Sequence, residues 1–263
     1  MIRKVSYYIT SIFRIFIGLT RPLFITAFFL GIVHPKREKI QLRNSKLQFW
    51  VRSPMDVWSI KETFLDRFYL RSGISIQNHW TIIDIGAGIG DFTIQAACDY
   101  PDNRVFAFEP YPDSFSLLEE NLLLNGIRNV NAFPVAVGAY DGEMVLDLSS
   151  GEPLQLQSAP VGNTPSAETI EVPSQTLSYL FEAHEIDRCH LLKLDCEGAE
   201  FSILMHNSDS WLPRVERITL EYHNDLTEHT HHQLVEFLSD IGFKITTRPN
   251  SVHASLGYLY AWR

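Results

Sequence analysis

Three acids fall within six positions in Asp195-Cys196-Glu197-Gly198-Ala199-Glu200, and Glu221-Tyr222-His223 adds an acid and an imidazole downstream. Each group follows a short apolar run, 191–194 and 215–220, that reads as a buried strand. Open α/β sheets bind ligands at the carboxyl ends of their strands, so Asp195, Glu197, Glu221 and His223 are expected to meet there. Carboxylates and an imidazole brought together serve as general bases or as ligands for a cation. Glu197 and His223 are the expected proton acceptors. Asp195 is divided between chemistry and hydrogen bonding beneath the site, and Glu200 is read as stabilising the start of the next helix.

A second group sits upstream. Asp84-Ile85-Gly86-Ala87-Gly88-Ile89-Gly90-Asp91 follows one apolar run and opens a helix. Its glycines let a ligand approach the main chain, because no Cβ intrudes. The spacing is G-x-G-x-G rather than the dinucleotide G-x-G-x-x-G. Asp84 and Asp91 flank the helix start, where a pyrophosphate would otherwise sit. A cofactor without phosphates and with a cationic centre, S-adenosylmethionine, fits better, and an NAD-dependent oxidoreductase is disfavoured. Glu109, 19 residues beyond Gly90 at the end of the next strand, is placed to accept hydrogen bonds from both ribose hydroxyls. The run Glu228-His229-Thr230-His231-His232 is read as a solvated helix start rather than a metal site.

The elements that must hold these residues alternate. Strands are expected at 81–85, 104–108, 130–137, 191–194, 215–220, 243–247 and 258–262, and helices at 92–99, 112–124, 175–183, 199–206 and 229–241. Strand and helix at that spacing give a parallel sheet with helices on both faces. Extra strands are expected at 144–148 and 168–172, and 149–168 reads as a loop that shapes the acceptor pocket. Before the sheet, 39–43 and 47–52 alternate as a β-hairpin. A helix over 56–71 follows, with Val57, Ile60, Phe64 and Phe68 on one face and Asp56 as its N-cap.

The chain has 263 residues, 45% of them hydrophobic and 20% charged, which suits a globular protein and excludes a disordered one. Its net charge of −9 gives the body no electrostatic reason to bind nucleic acid. Cys98, Cys189 and Cys196 are too few and too scattered for a disulfide framework or a Cys-x-x-Cys zinc site, and they favour a reducing, cytoplasmic compartment. Residues 1–33 differ: they carry Arg3, Lys4, Arg14 and Arg21 and no acid, among many aromatic and aliphatic side chains. Arg14, Arg21 and Pro22 interrupt any run of the roughly 20 residues needed to span a bilayer. No small-x-small cleavage site marks a signal peptide. Two readings stand: a segment lying peripherally on a membrane, or helices packing on the chain's own catalytic domain or on a second copy in a homodimer. The organisation is an apolar-basic helical segment over 1–38, a lead-in hairpin and helix over 39–75, and a catalytic domain over 76–263.

These motifs resemble the FkbM family of adenosylmethionine-dependent methyltransferases. The resemblance lies in Asp84-Ile-Gly-Ala-Gly-Ile-Gly90 with Thr93, in Ala107-Phe-Glu-Pro110, and in Lys193-Leu-Asp-Cys-Glu-Gly-Ala-Glu200, the last being the most specific. Asp56, Glu62 and Tyr69 resemble the family's lead-in helix, and the likeness covers roughly 40–260. Gly88 stands where the family often has Asn, Cys196 where Val is commoner, and Thr176-Leu177-Ser178 lacks the usual acid. The resemblance implies a class I, Rossmann-like α/β fold: a seven-stranded, mostly parallel sheet with an antiparallel last strand. The cofactor-binding set is then Asp84, Gly86, Ala87, Gly88, Gly90, Glu109, Pro110 and Ala136. It also implies methyl transfer to a hydroxyl of a sugar, glycan or polyketide-like small molecule. Glu197 or His223, with Asp195 beside them, would remove the hydroxyl proton. A divalent cation on Asp195 and Glu197 ranks second, and no resident metal is assigned. The alternative from another class is a non-catalytic module of the same fold, a scaffold held at a membrane by residues 1–33.

Overall fold

The computed structural model describes residues 2–71, 74–148, 154–156, 169–224, 226, 228–250 and 252–263. Two helices come first, α1 (Ile2–Gly18) and α2 (Pro22–Phe29), joined through Arg21 in the left-handed region. Strands β1 (Glu38–Gln41) and β2 (Gln48–Val51) form the expected antiparallel hairpin. Helix α3 (Pro54–Ile60) starts at Ser53, whose side chain accepts from the Asp56 N–H while Asp56 accepts from the Ser53 N–H. Ser53 is therefore the N-cap, and Asp56 is its capping-box partner rather than the cap itself. The expected single helix over 56–71 also breaks up. Residues Lys61–Asp66 continue as a π-helix, Arg67 turns left-handed, and Phe68–Leu70 form a 3₁₀ turn. The cause lies in the side chains: Lys61 and Asp66, five apart, form a buried ion pair at 2.6 Å, and the i→i+5 winding puts them on one face.

The core follows as β3 (Thr81–Ile85), α4 (Asp91–Cys98), β4 (Arg104–Phe108), α5 (Pro112–Leu124) and β5 (Val130–Phe133). The expected strand over 130–137 stops at Pro134, which lacks the N–H a ladder needs. Ala136–Val137 is a separate strand, β6, in a second sheet. That sheet has the order β6-β9-β7-β8, with β7 (Gly142–Asp147), β8 (Leu154–Leu156) and β9 (Thr169–Gln175). Within the stretch read as a loop, 154–156 is thus a strand, antiparallel to β7; 149–153 and 157–168 lie outside the described residues. The chain closes with α6 (Leu177–Ala183), β10 (Leu191–Leu194), α7 (Glu200–Met205), β11 (Arg217–His223), α8 (His231–Asp240), β12 (Lys244–Pro249) and β13 (Leu256–Trp262).

The main sheet has seven strands in the order β12-β13-β11-β10-β3-β4-β5. Neighbours from β11 to β5 are parallel, and β13, the last in the chain, is antiparallel to both β11 and β12. One face packs Leu180, Phe181, Phe201 and Leu238 of α6, α7 and α8 against Ile83, Leu192 and Ile218. The other packs Phe92 and Ala96 of α4 against Ile82, Val105 and Tyr260. Burial on both faces is why these strands read as unbroken apolar runs. Ile15, Leu19, Ile25 and Phe28 of the N-terminal helices join one buried cluster with the hairpin and Leu118 of α5. Asn121 of α5 and Asn125 at its C-cap bond the main chain of Trp50 and Gln48, fixing the hairpin to the sheet domain. No described helix is long and apolar enough to cross a membrane.

Candidate active site

The carboxyl ends of β3, β4, β10 and β11 open into one cavity of about 740 Å³. Gly86, Ala87 and Gly88 line it from the β3 turn, Glu109 and Pro110 from β4, Asp195, Cys196 and Glu197 from β10, and Glu221 and His223 from β11. The glycines do different work. Gly86 has φ +70, and a Cβ there would lie 1.8 Å from the Asp195 carbonyl oxygen, so it lets β10 close against the loop. Gly90 has φ +86, and its Cβ would strike Leu118 of α5. Gly88 has φ +55 with open space around its missing Cβ, and it forms part of the cavity wall. Gly86→Ala is therefore expected to destabilise the protein by about 3 kcal/mol or more, through backbone overlap and left-handed strain. Gly88→Ala should cost about 1 kcal/mol of strain and act chiefly on ligand affinity. Urea melts of the two variants check the contrast, and equal losses would refute it.

Glu109 is buried, and each of its oxygens already accepts a main-chain N–H, from Gly88 at 2.7 Å and from Tyr111 at 2.9 Å. Each oxygen keeps a lone pair for a hydroxyl donor. Burial raises its pKa to about 7, against the two N–H donors, which lower it. Asp84, Gly90 and Ala136, expected against the cofactor, do not line the cavity. Asp84 is fully buried; it accepts from Thr93 at 2.6 Å and pairs with Lys193 at 3.0 Å. Its charge is compensated, so the acids facing a ligand at this loop are Asp91 and Glu109. Lys193 donates in turn to the Gly86 carbonyl at 2.7 Å, so the ion pair sets the shape of the loop. Gly90 acts through α5 packing, and Ala136 has left the main sheet to pack beside Leu146 and Val172.

The acidic end is built around a buried carboxylate. Glu200 has no exposed surface and accepts from the N–H groups of Cys196 and Gly198 and from His223 Nδ1 at 3.1 Å. It is thus more than a helix-start charge: it aims the ring, leaving Nε2 3.4 Å from Glu197 Oε2. Burial alone would lower the His223 pKa. The hydrogen bond to Glu200 and the charges of Glu200, Glu197 and Asp195 outweigh it and raise the value to about 10. Glu197 sits in the left-handed region at φ +50, and its side chain is 32% exposed. Strain of this kind persists only where the surroundings impose it. Asp195 accepts from the buried Tyr69 hydroxyl. The ligand atoms of Asp195, Glu197 and His223 lie within 4.8 Å of one another, close enough to hold a cation between them.

Tyr69, Lys193, Glu62 and Asp91 also line the cavity and were not among the expected site residues. Lys193 left a trace in the sequence, a single charge inside Leu191-Leu-Lys-Leu194. Tyr69 stood out only through the resemblance of the lead-in helix, and its partner Asp195, 126 positions away, left no local signal. In the histidine run, His231 stacks on Tyr222, His229 stacks on Phe201, and Thr230 caps α8 with Gln233. This agrees with a helix start.

The loop, the ribose-type carboxylate and the acid-rich wall suit adenosylmethionine: the glycine at the wall leaves room, and the carboxylates favour a cation over a pyrophosphate. Comparison with known proteins leads the same way. Over 245 residues the chain is 26% identical to the 31-O-demethyl-FK506 methyltransferase FkbM of Streptomyces tacrolimicus, covering 82% of this chain and 93% of that one. It is 28% identical over 179 residues to Methyltransferase 1 of Beauveria bassiana, covering 61% and 71% respectively. It is 26% identical over 182 residues to the hexuronic acid methyltransferase AglP of Haloferax volcanii, covering 67% and 70%. The family model described as the methyltransferase FkbM domain matches residues 84–245, from the glycine loop through the acidic cluster and into β12. By that match the chain belongs to the FkbM family of adenosylmethionine-dependent methyltransferases.

Proposed function

We propose that the chain methylates a hydroxyl oxygen of a sugar, glycan or small natural product. The observation that carries this reading is a half-exposed carboxylate, Glu197, braced by a buried His223–Glu200 pair at the wall of the cavity. One relative's name supports the oxygen acceptor, a 31-O-demethyl-FK506 methyltransferase, and another's supports a sugar-derived substrate, a hexuronic acid methyltransferase. When bound, adenosylmethionine supplies a methyl group activated by a cationic sulfur. Glu109 and the Gly88 main chain hold the ribose and sugar-proximal end. Glu197 accepts the proton of the acceptor hydroxyl on a carboxylate oxygen. Both ring nitrogens of His223 face carboxylates, so it acts as a positioning residue for Glu197 rather than as the base. Tyr69 orients Asp195 by donating to it.

Calorimetric titration with S-adenosylhomocysteine, with NAD as control, tests the cofactor half. Saturable binding of the former alone is expected, and binding of NAD alone would overturn the reading. Transfer of a radiolabelled methyl group to glycosides and hydroxylated natural products tests the acceptor half. Base-stable product supports an ether, and label on nitrogen or carbon excludes it. The Glu109 carboxylate adds a pH dependence with a definite sign. Its ionised form accepts both ribose hydroxyls, and its pKa in the free protein is about 7. Affinity for S-adenosylhomocysteine should therefore rise about tenfold between about pH 6 and 8, then level off. Glu109→Gln should bind weakly and without that slope, and a parallel slope in the variant would assign the titration elsewhere.

A further inference from the structure

Beside the cofactor cavity, a second, apolar groove of about 430 Å³ runs between α1 and α2. Tyr8, Ile12, Phe16, Phe29, Leu30 and Trp58 are among the apolar side chains of its wall. At its inner end it shares Met55, Trp58, Glu62, Asn250 and His253 with the cofactor cavity, so the two spaces adjoin. The shared boundary carries the polar groups. Glu62 is held there by Tyr7 and Trp58, at 3.0 and 2.9 Å.

Helix α1 is apolar on more than its packed side. Ile15, and Leu19 just past the helix end, are buried in the core, while Ile9, Phe13 and Ile17 are 62%, 63% and 56% exposed. At 100° per residue, Ile12 and Phe16 lie between these two faces, so the exposed stripe runs directly into the groove wall. Leu23 of α2 and Leu30 at its C-cap are 77% and 69% exposed beside it. A monomeric soluble protein rarely shows so continuous an apolar surface.

We infer that this groove takes the hydrocarbon chain of an amphiphilic acceptor, whose hydroxyl-bearing head lies in the cofactor cavity. The inference rests on the hydroxyl-methylation reading above and gives its acceptor a chemical class: a hydroxylated head on an alkyl or isoprenoid tail. The order of surfaces matches such a molecule: an exposed apolar stripe, an apolar groove, a polar boundary, then an acidic cavity with the glycine loop. A second copy covering α1 would bury the stripe but would leave the groove's shared boundary with the cavity without a role.

The full chain, saturated with S-adenosylhomocysteine, is titrated with methyl, hexyl and octyl glucoside below their micelle concentrations. Affinity should tighten by about fourfold per methylene at first, and by at least about a hundredfold from methyl to octyl, at one site per chain. Thr26→Trp fills the groove from α2, and Ile12→Asp, at an exposed position, places a charge in its wall. Either variant should flatten the chain-length dependence while binding S-adenosylhomocysteine as before. Equal affinities across the series, with S-adenosylhomocysteine bound, would overturn the inference and leave the methyltransferase reading standing. So would a length dependence that persists in both variants. A dimer dissolved by Ile12→Asp, with no length dependence, would give the face to a second copy. Failure of S-adenosylhomocysteine to bind the wild-type chain would remove the underlying reading and the inference with it.

Discussion

Glu197→Gln should lower the turnover of methyl transfer by about 10²–10⁴-fold, the usual contribution of a positioned general base, with affinity for S-adenosylhomocysteine unchanged. The substitution keeps shape and removes only the ability to take a proton. Both residues line the cavity, but Glu197 is the expected acceptor because its side chain is 32% exposed, whereas His223 is 4% exposed and faces Glu200 and Glu197 with its two nitrogens. His223→Gln should produce a smaller loss, because the base survives but is no longer aimed. Single-turnover rates at saturating cofactor, measured across pH, separate the two variants. A rate for Glu197→Gln within about tenfold of wild type would take Glu197 out of the proton transfer. Chelation supplies a second discriminant: activity lost with EDTA and restored by Mg²⁺ would assign Asp195, Glu197 and His223 to a cation instead.

Lys193→Met should destabilise the fold by about 3–5 kcal/mol, because it leaves a buried carboxylate without its cation. The Lys193 and Asp84 side chains are 3% and 0% exposed, and they stand opposite each other in the β10–β3 register. Burial lowers the Lys193 pKa, but Asp84, Asp195 and Asp91 outweigh it and raise the value, so the ammonium persists at any ordinary pH. The double variant Asp84→Asn, Lys193→Met should recover part of the loss, since no buried charge is then stranded. It should still bind S-adenosylhomocysteine weakly, because the Gly86 carbonyl has lost its donor. Denaturant melts and calorimetry on the three variants provide the check. A single variant within about 1 kcal/mol of wild type would mean that Asp84 takes up a proton instead of holding a charge.

These two expectations differ in where their grounds are found. Glu197 could be picked out in the sequence, since three acids within six positions after a strand are a local pattern. Lys193 could be noticed, but its partner lies 109 positions away, and only the pairing of β10 with β3 joins them. The break in the expected helix over 56–71 has a related origin. Apolar spacing reports a period near 3.6, and it does not report that a buried Lys61 will draw Asp66 into a π-helical turn. The division of the strand over 130–137, by contrast, is a local matter, since Pro134 is visible in the sequence itself.

By itself the sequence determined the alternation of strands and helices, the glycine loop with Glu109 at its proper interval, and the acids at the ends of β10 and β11. Each of those is written within a few residues, as periodicity, a glycine where no Cβ fits, or a charge closing an apolar run. Tertiary structure alone decided that Asp84 pairs with Lys193 beneath the glycine loop, that Tyr69 holds Asp195, and that Glu200 aims His223. It alone decided that β6 to β9 form a second sheet and that the N-terminal helices enclose a groove reaching the cavity. Those pairings depend on which distant surfaces are buried against each other, and burial is settled by the packing of the whole chain rather than by any one segment of it.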